Sequence, residues 1–267
     1  MRRDGGHVLV ELLVASSCTG LLAAGVLGLA VNSAATVRGR MMRLDATMRA
    51  ERCAEELARD LRRSARGLGS RTRLIVGTGL VGVVEPAASG VQVALTEALP
   101  VEVDQLSDGV YRVTGLGELT VDTQVAAVGL AAASPAVPVA NVVQAGRFSA
   151  EQLVEVGWQA SQRRILQEHG PVRALVPLTL RTYQTRHTET GVELRRRDDA
   201  GSWQPVVDGL AGVDIRYGLA GELGASPLGL AESLLRSAEI VTARIDCAAS
   251  SADVRVQAVR WAGIGRR

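Results

Sequence analysis

A carboxylate sits inside the part of this chain that is apolar enough to cross a membrane. Residues 8–31 read VLVELLVASSCTGLLAAGVLGLAV, and Glu11 is the charged side chain among them. Roughly 24 residues at ~1.5 Å each make a helix ~36 Å long, which covers the hydrocarbon layer of a bilayer. An ionisable group within such a span costs about 2.5–3.5 kcal/mol on insertion scales and usually marks function, so Glu11 calls for a cationic partner. The preceding MRRDGG is short, polar and basic at Arg2 and Arg3, while Arg38, Arg40 and Arg43 stand on the far side. Counting cations alone therefore leaves the orientation ambiguous.

The order Gly6-His7-Val8-Leu9-Val10-Glu11, followed by Leu12-Leu13-Val14, resembles the class III signal sequence of the type IV pilin and pseudopilin superfamily. That motif is a short basic leader ending in Gly, then an apolar run whose fifth residue is Glu. The resemblance implies cleavage by prepilin peptidase between Gly6 and His7 on the cytoplasmic face, and N-methylation of the new amino-terminal His7. It also implies that Glu11 pairs with the terminal amine of a neighbouring subunit. Opposite charges attract strongly in low dielectric while either one alone carries a desolvation cost, so such a pair sets register between subunits more than it adds stability. His7 departs from the Phe or Met usual after the cleavage site.

Other processing schemes fit less well. Residues 14–18 loosely resemble a lipoprotein box ending at Cys18, but the apolar run continues past it where a lipoprotein turns polar. Small residues at 32–35 suit ordinary signal peptidase, yet the apolar stretch is long for its h-region.

Beyond residue 35 the positions Val37, Met41, Leu44, Met48, Ala54, Leu57, Leu61 and Leu68 recur mostly at helical intervals, which predicts one amphipathic stripe. Glu55 with Arg59 and Asp60 with Arg63 stand at helical pair spacing. Gly67, Gly69 and Ser70 end the pattern. One helix of roughly 60 residues is expected, half in lipid and half under a cover. The expected architecture is α+β, with this helix packed on a carboxyl-terminal antiparallel sheet, as in pilin-like proteins. The divisions are a leader at 1–6, a transmembrane half at 7–31, an amphipathic half at 32–68 and an extracytoplasmic β-rich domain at 69–267.

Alternating apolar runs predict strands at 74–76, 80–84, 91–96, 110–114, 118–123 and 125–130, with turns at Asp108-Gly109 and 115–117. Residues 131–138 read as a loop. Further strands are expected at 152–158, 172–186, 191–196, 203–207, 213–219, 239–247 and 254–261, with a short helix at 228–236. No βαβ alternation is present, which disfavours a parallel nucleotide-binding sheet. The runs 180–183, 191–195, 207–210 leading to 213–217, 240–245 and 254–260 resemble the W-type minor pilins and J-type minor pseudopilins.

Composition narrows the chemistry. All 30 basic residues are Arg, which removes any phosphate-loop or Schiff-base lysine. A net charge of +2 and seven aromatic residues offer neither an electrostatic footprint nor a stacking platform for nucleic acid. Cys18, Cys53 and Cys247 have no zinc spacing with His7, His169 or His187. Cys53 and Cys247 either pair in an oxidising compartment or stay as buried thiols. His169 and His187 read as exposed loop residues, and Asp198-Asp199 as a polar turn with too few oxygens for calcium. No catalytic motif, metal site or cofactor site is evident.

The expectation is thus a non-enzymatic minor pilin or pseudopilin, single-pass in the bacterial inner membrane with its domain outside the cytoplasm and placed at a filament tip. Its partners would be other minor pilins or pseudopilins, prepilin peptidase, an inner-membrane assembly platform and the lipid bilayer, in type II secretion or type IV pilus assembly. The alternative is a signal-anchored extracytoplasmic enzyme or binding protein.

Overall fold

The computed structural model describes residues 5–264 apart from 65–67, 69–71, 88–89, 97–98, 116, 130–135, 149–150, 220–239 and 252–253. In chain order the elements are α1 (Gly5–Arg63), β1 (Arg73–Val76), β2 (Gly79–Gly82), β3 (Val84–Ala87), β4 (Gly90–Leu95), β5 (Val101–Ser107), β6 (Val110–Val113), β7 (Gln124–Gly129) and β8 (Ala136–Phe148). There follow β9 (Glu151–Val156), α2 (Ala160–His169), β10 (Val172–Pro177), β11 (Thr179–Thr188), β12 (Gly191–Asp198), β13 (Gln204–Leu219), β14 (Ile240–Ser251) and β15 (Val254–Gly263). The molecule is α+β: one long amino-terminal helix and a largely antiparallel β domain.

The 59 residues of α1 contain no Pro and are rich in Ala, Leu, Met, Arg and Glu, all strong helix formers. Hydroxyls within its apolar half close on the helix's own backbone. Ser16 and Ser17 donate to the Leu13 carbonyl at 3.0 and 2.7 Å, and Thr19 to that of Ala15 at 2.7 Å. Arg62 and Arg63 in the last turn complement the negative end of the helix dipole. Ser64 then turns its hydroxyl back to the Leu61 carbonyl at 2.6 Å and bridges to Leu95.

The second half of α1 lies on a seven-stranded sheet ordered β15-β14-β13-β12-β11-β4-β3. Ala46, Ala50, Cys53, Ala54, Leu57, Ala58 and Leu61 are fully buried there, against Val91, Val93, Tyr183, Leu194, Ile245 and Cys247 of the sheet. Alternate residues of a strand face one side, so Val192 and Leu194 of β12 point at the helix while Arg195 and Arg197 point away. β13 serves two neighbours. Its first part pairs with β12 as far as Leu210 and its second with β14 from Leu210 to Leu219, with a register break between Leu210 and Gly212. Gly209 supplies the left-handed conformation, φ +68°, at that corner.

The other sheet has the order β2-β1-β8-β7-β10-β5-β6-β9, and β8 pairs with β9 as well as with β7. Strands β8, β7, β10, β5, β6 and β9 thus close into a ring. Its interior is filled by Val101, Val103, Tyr111, Val125, Val142, Val154 and Leu175, with the Trp158 indole N–H donating to the Tyr111 hydroxyl at 2.9 Å. A third apolar layer, including Leu74, Val83, Ala94, Val137, Val176 and Leu180, joins the ring to the outer face of the seven-stranded sheet.

Several sequence expectations are corrected. Residues 118–123 form no strand; they pass through a turn in which Asp122 holds φ +68°. β5 and the whole of β8 fall where no strand is expected, residues 136–138 being read as loop, and α2 falls between two expected strands. α2 is anchored by Gln162, 1% exposed, whose side chain donates to the carbonyls of Ile75 at 2.9 Å and Val139 at 2.8 Å. The Asp108-Gly109 turn does join β5 to β6. His187 lies within β11 rather than in a loop. The expected helix at 228–236 lies outside the described residues.

Candidate functional site

Helix α1 carries two apolar surfaces, where the sequence predicted one. Each residue advances about 100° around a helix, so the six-residue step from Met48 to Ala54 turns ~240° and does not return to the same face. Val37, Met41, Leu44 and Met48 accordingly point away from the sheet, 49%, 67%, 59% and 55% exposed, while Ala46, Ala50 and Cys53 between and beyond them are fully buried. This outward stripe begins six residues after the apolar segment at 9–31, every residue of which is exposed. Among the described residues α1 is the one helix long and apolar enough to cross a membrane.

Glu11 lies on the exposed surface of that segment. Gly6 and His7 belong to the first turns of α1, and their side chains are outside the described residues. Cys53 and Cys247 form a disulfide between α1 and β14 with their Cα atoms 6.2 Å apart, and Cys18 is a free, exposed thiol on the apolar segment.

Charged side chains fix the helix to the sheet. Asp60 is 1% exposed and accepts hydrogen bonds from the Tyr183 hydroxyl at 2.6 Å and from Arg181 Nη1 at 2.8 Å. The same guanidinium grips Asp198 through Nε at 2.5 Å and Nη2 at 2.8 Å. One turn earlier Glu56 accepts from Arg196 Nη1 at 2.7 Å, and Glu55 faces Arg260 at 3.5 Å. Expected pairs along the helix are replaced by these: Arg59 bonds Glu56, and Asp60 turns to the sheet. The fork on Arg181 holds the Asp198 carboxyl below the usual carboxylate range and raises Arg181 in turn. Burial, reinforced by the Asp60 charge, raises the Tyr183 hydroxyl. Asp199 holds φ +48° and its carboxylate accepts from the Leu180 N–H at 2.9 Å, so Asp198-Asp199 is a structural turn.

This network was legible in part. Asp60 follows Cys53 by seven residues and Leu57 by three, the spacing of the buried face itself, and an acid on such a face announces a buried partner. The identity of the partner, more than a hundred residues on, carried no such signal.

Beside Tyr183 a cavity of about 190 Å³ opens among Leu194, Ile215 and Tyr217. The Tyr217 hydroxyl is buried there without a hydrogen-bond partner, and burial raises its pKa. Among the described residues no three His, Cys, Asp or Glu side chains gather to hold a metal ion. Compared with known protein families, curated proteins and solved structures, the chain has no match.

Proposed function

We propose that this chain is a minor pilin or pseudopilin of the W-type or J-type group, a non-enzymatic subunit cut by prepilin peptidase between Gly6 and His7 and methylated on His7. It is anchored by the apolar half of α1 in the bacterial inner membrane, with the β domain outside the cytoplasm. Other minor subunits join it at a filament tip, on an inner-membrane assembly platform, for type II secretion or type IV pilus assembly. The observation that carries this reading is the exposed stripe Val37, Met41, Leu44 and Met48. It starts six residues past the apolar span and continues for ~17 Å, so lipid does not account for it. A helix that buries one face on its own domain and leaves a second apolar face uncovered beyond the bilayer is built to meet another helix. Glu11, early in the same exposed helix, supports the reading because an ionisable group within an apolar span usually marks function.

Mass spectrometry of the amino terminus tests it, using chain purified from cells that contain prepilin peptidase. A mature chain beginning at methylated His7 is expected. An intact Met1 overturns the proposal in favour of a simple signal anchor.

A further inference from the structure

Five arginines of the seven-stranded sheet are neutralised: Arg181, Arg196, Arg216, Arg244 and Arg260 each lie within 3.5 Å of a carboxylate oxygen. Like Arg186 and Arg255, Arg195 and Arg197 have no ion pair among the described residues. They flank Arg196 on β12 and project from the face turned away from α1. Both guanidinium groups stand against a single indole, their central carbons 4.6 and 4.8 Å from the centre of the Trp203 ring. Arg195 is further held by Gln184, which accepts from Nη2 at 2.7 Å, while the Nε of each arginine is shielded from solvent and bonded to nothing. Their cross-strand neighbours on β11, Gln184 and Thr182, bring no charge, and the acid on the same face, Glu193, stands opposite Arg186.

Stacking on Trp203 restricts the rotamers of two planar donors that would otherwise be mobile, so little freedom is left to lose when an anion arrives. Alternate residues on a strand are separated by ~6.7 Å, and carboxylates at alternate positions of any extended chain repeat at the same distance. Each carboxylate of such a chain meets one fork. We propose that Arg195 and Arg197, held by Trp203, form a docking site for an extended acidic segment of a partner protein with Asp or Glu at alternate positions. Two forks side by side on one strand suit two anions in a row, whereas a lone phosphate is best served by donors converging on one point. The site is independent of the membrane half of α1 and of its processing.

The test is titration of the full chain in detergent with an acetylated, amidated hexapeptide, Thr-Glu-Thr-Glu-Thr-Gln, followed by tryptophan fluorescence and by calorimetry. Its isomer Thr-Glu-Glu-Thr-Thr-Gln has the same charge in adjacent positions. The alternating peptide should bind about tenfold tighter than the isomer and weaken as salt is raised. Arg195→Gln with Arg197→Gln should weaken it by about tenfold or more with the near-UV spectrum of the fold retained. Trp203→Leu keeps both charges and should weaken it by roughly threefold through lost stacking, which serves as the readout if the double variant fails to fold. Equal binding of the two isomers, or undiminished binding by the variants, overturns the proposal. So does a tighter response to inorganic phosphate or to anionic lipid vesicles than to the alternating peptide.

Discussion

Asp60 of α1 and Tyr183 of β11, 123 residues apart in sequence, share a buried hydrogen bond of 2.6 Å. Arg181 completes the group from the same strand, so the helix is attached to the sheet by charge as well as by apolar contact. Removing Asp60 leaves the buried Tyr183 hydroxyl and the Nη1 arm of Arg181 without their acceptor, although Asp198 still holds the rest of that guanidinium. Asp60→Ala should therefore destabilise the folded chain by about 3 kcal/mol. The exposed pair Arg164 with Glu168 on α2 should contribute under ~0.5 kcal/mol to the same measurement, urea unfolding in detergent.

Two tyrosines should respond oppositely to loss of their hydroxyls. Tyr183→Phe deletes a bond to a charged acceptor and should cost about 1.5–3 kcal/mol. Tyr217→Phe deletes a buried hydroxyl that bonds to nothing, and stability should stay level or rise. Thermal unfolding of the two variants in parallel checks the contrast.

All three tyrosines of the chain, Tyr111, Tyr183 and Tyr217, are buried and have raised pKa values, that of Tyr111 pushed up to about 12 chiefly by desolvation. A folded-state value above the unfolded value of ~10 favours the neutral hydroxyl in the fold. The resulting stabilisation is whole below pH ~10 and falls as pH rises from there toward the folded-state values. Ultraviolet titration should show no tyrosinate through pH ~10, then ionisation in step with loss of the near-UV circular dichroism. Ionisation of any tyrosine near its ordinary pKa with the fold intact would contradict this.

The Cys53–Cys247 bond closes a loop spanning 194 residues of sequence. Loop entropy in the unfolded chain makes it worth about 3–5 kcal/mol, so reduction by dithiothreitol should lower Tm by roughly 10 °C. Cys53→Ala with Cys247→Ala should reproduce that loss and abolish the further effect of reductant.

On the proposed function, Glu11→Ala should leave expression and the thermal transition of the β domain unchanged and should impair co-purification with the minor pilins proposed as its partners. Recovery of partners in undiminished amount would count against a charge pair at that position.

The helix and the strand content of this chain could be read from local pattern, because hydrophobic period is a local property. The 3.6-residue spacing of Ala54, Leu57 and Leu61 and the alternation along 191–196 translate into α1 and β12. Faces and partners were harder. Val37, Met41, Leu44 and Met48 have the spacing of a buried stripe, and only the six-residue step before Ala54 reveals that they belong to a different side. α2 escaped because it is short and polar, its capping made by Gln159 and Gln162 in place of the usual Ser or Thr. Closure of the six-strand ring depends on β8 pairing with β7 at one end and β9 at the other, a relation between distant segments that no window of sequence contains. The Arg195, Trp203 and Arg197 cluster was hidden in the same way: strand alternation placed the arginines on one face, but only the turn into β13 brings the indole over them.

The bond from Cys53 to Cys247 has a mechanical consequence. Tension applied along α1 from its apolar amino-terminal end reaches the disulfide before it reaches Asp60 and Leu61. There it passes covalently into β14, a strand flanked on both sides by long ladders to β13 and β15. A pull on the helix is thereby shared along those ladders in shear, and the turns of α1 beyond Cys53 cannot be peeled from the sheet one at a time.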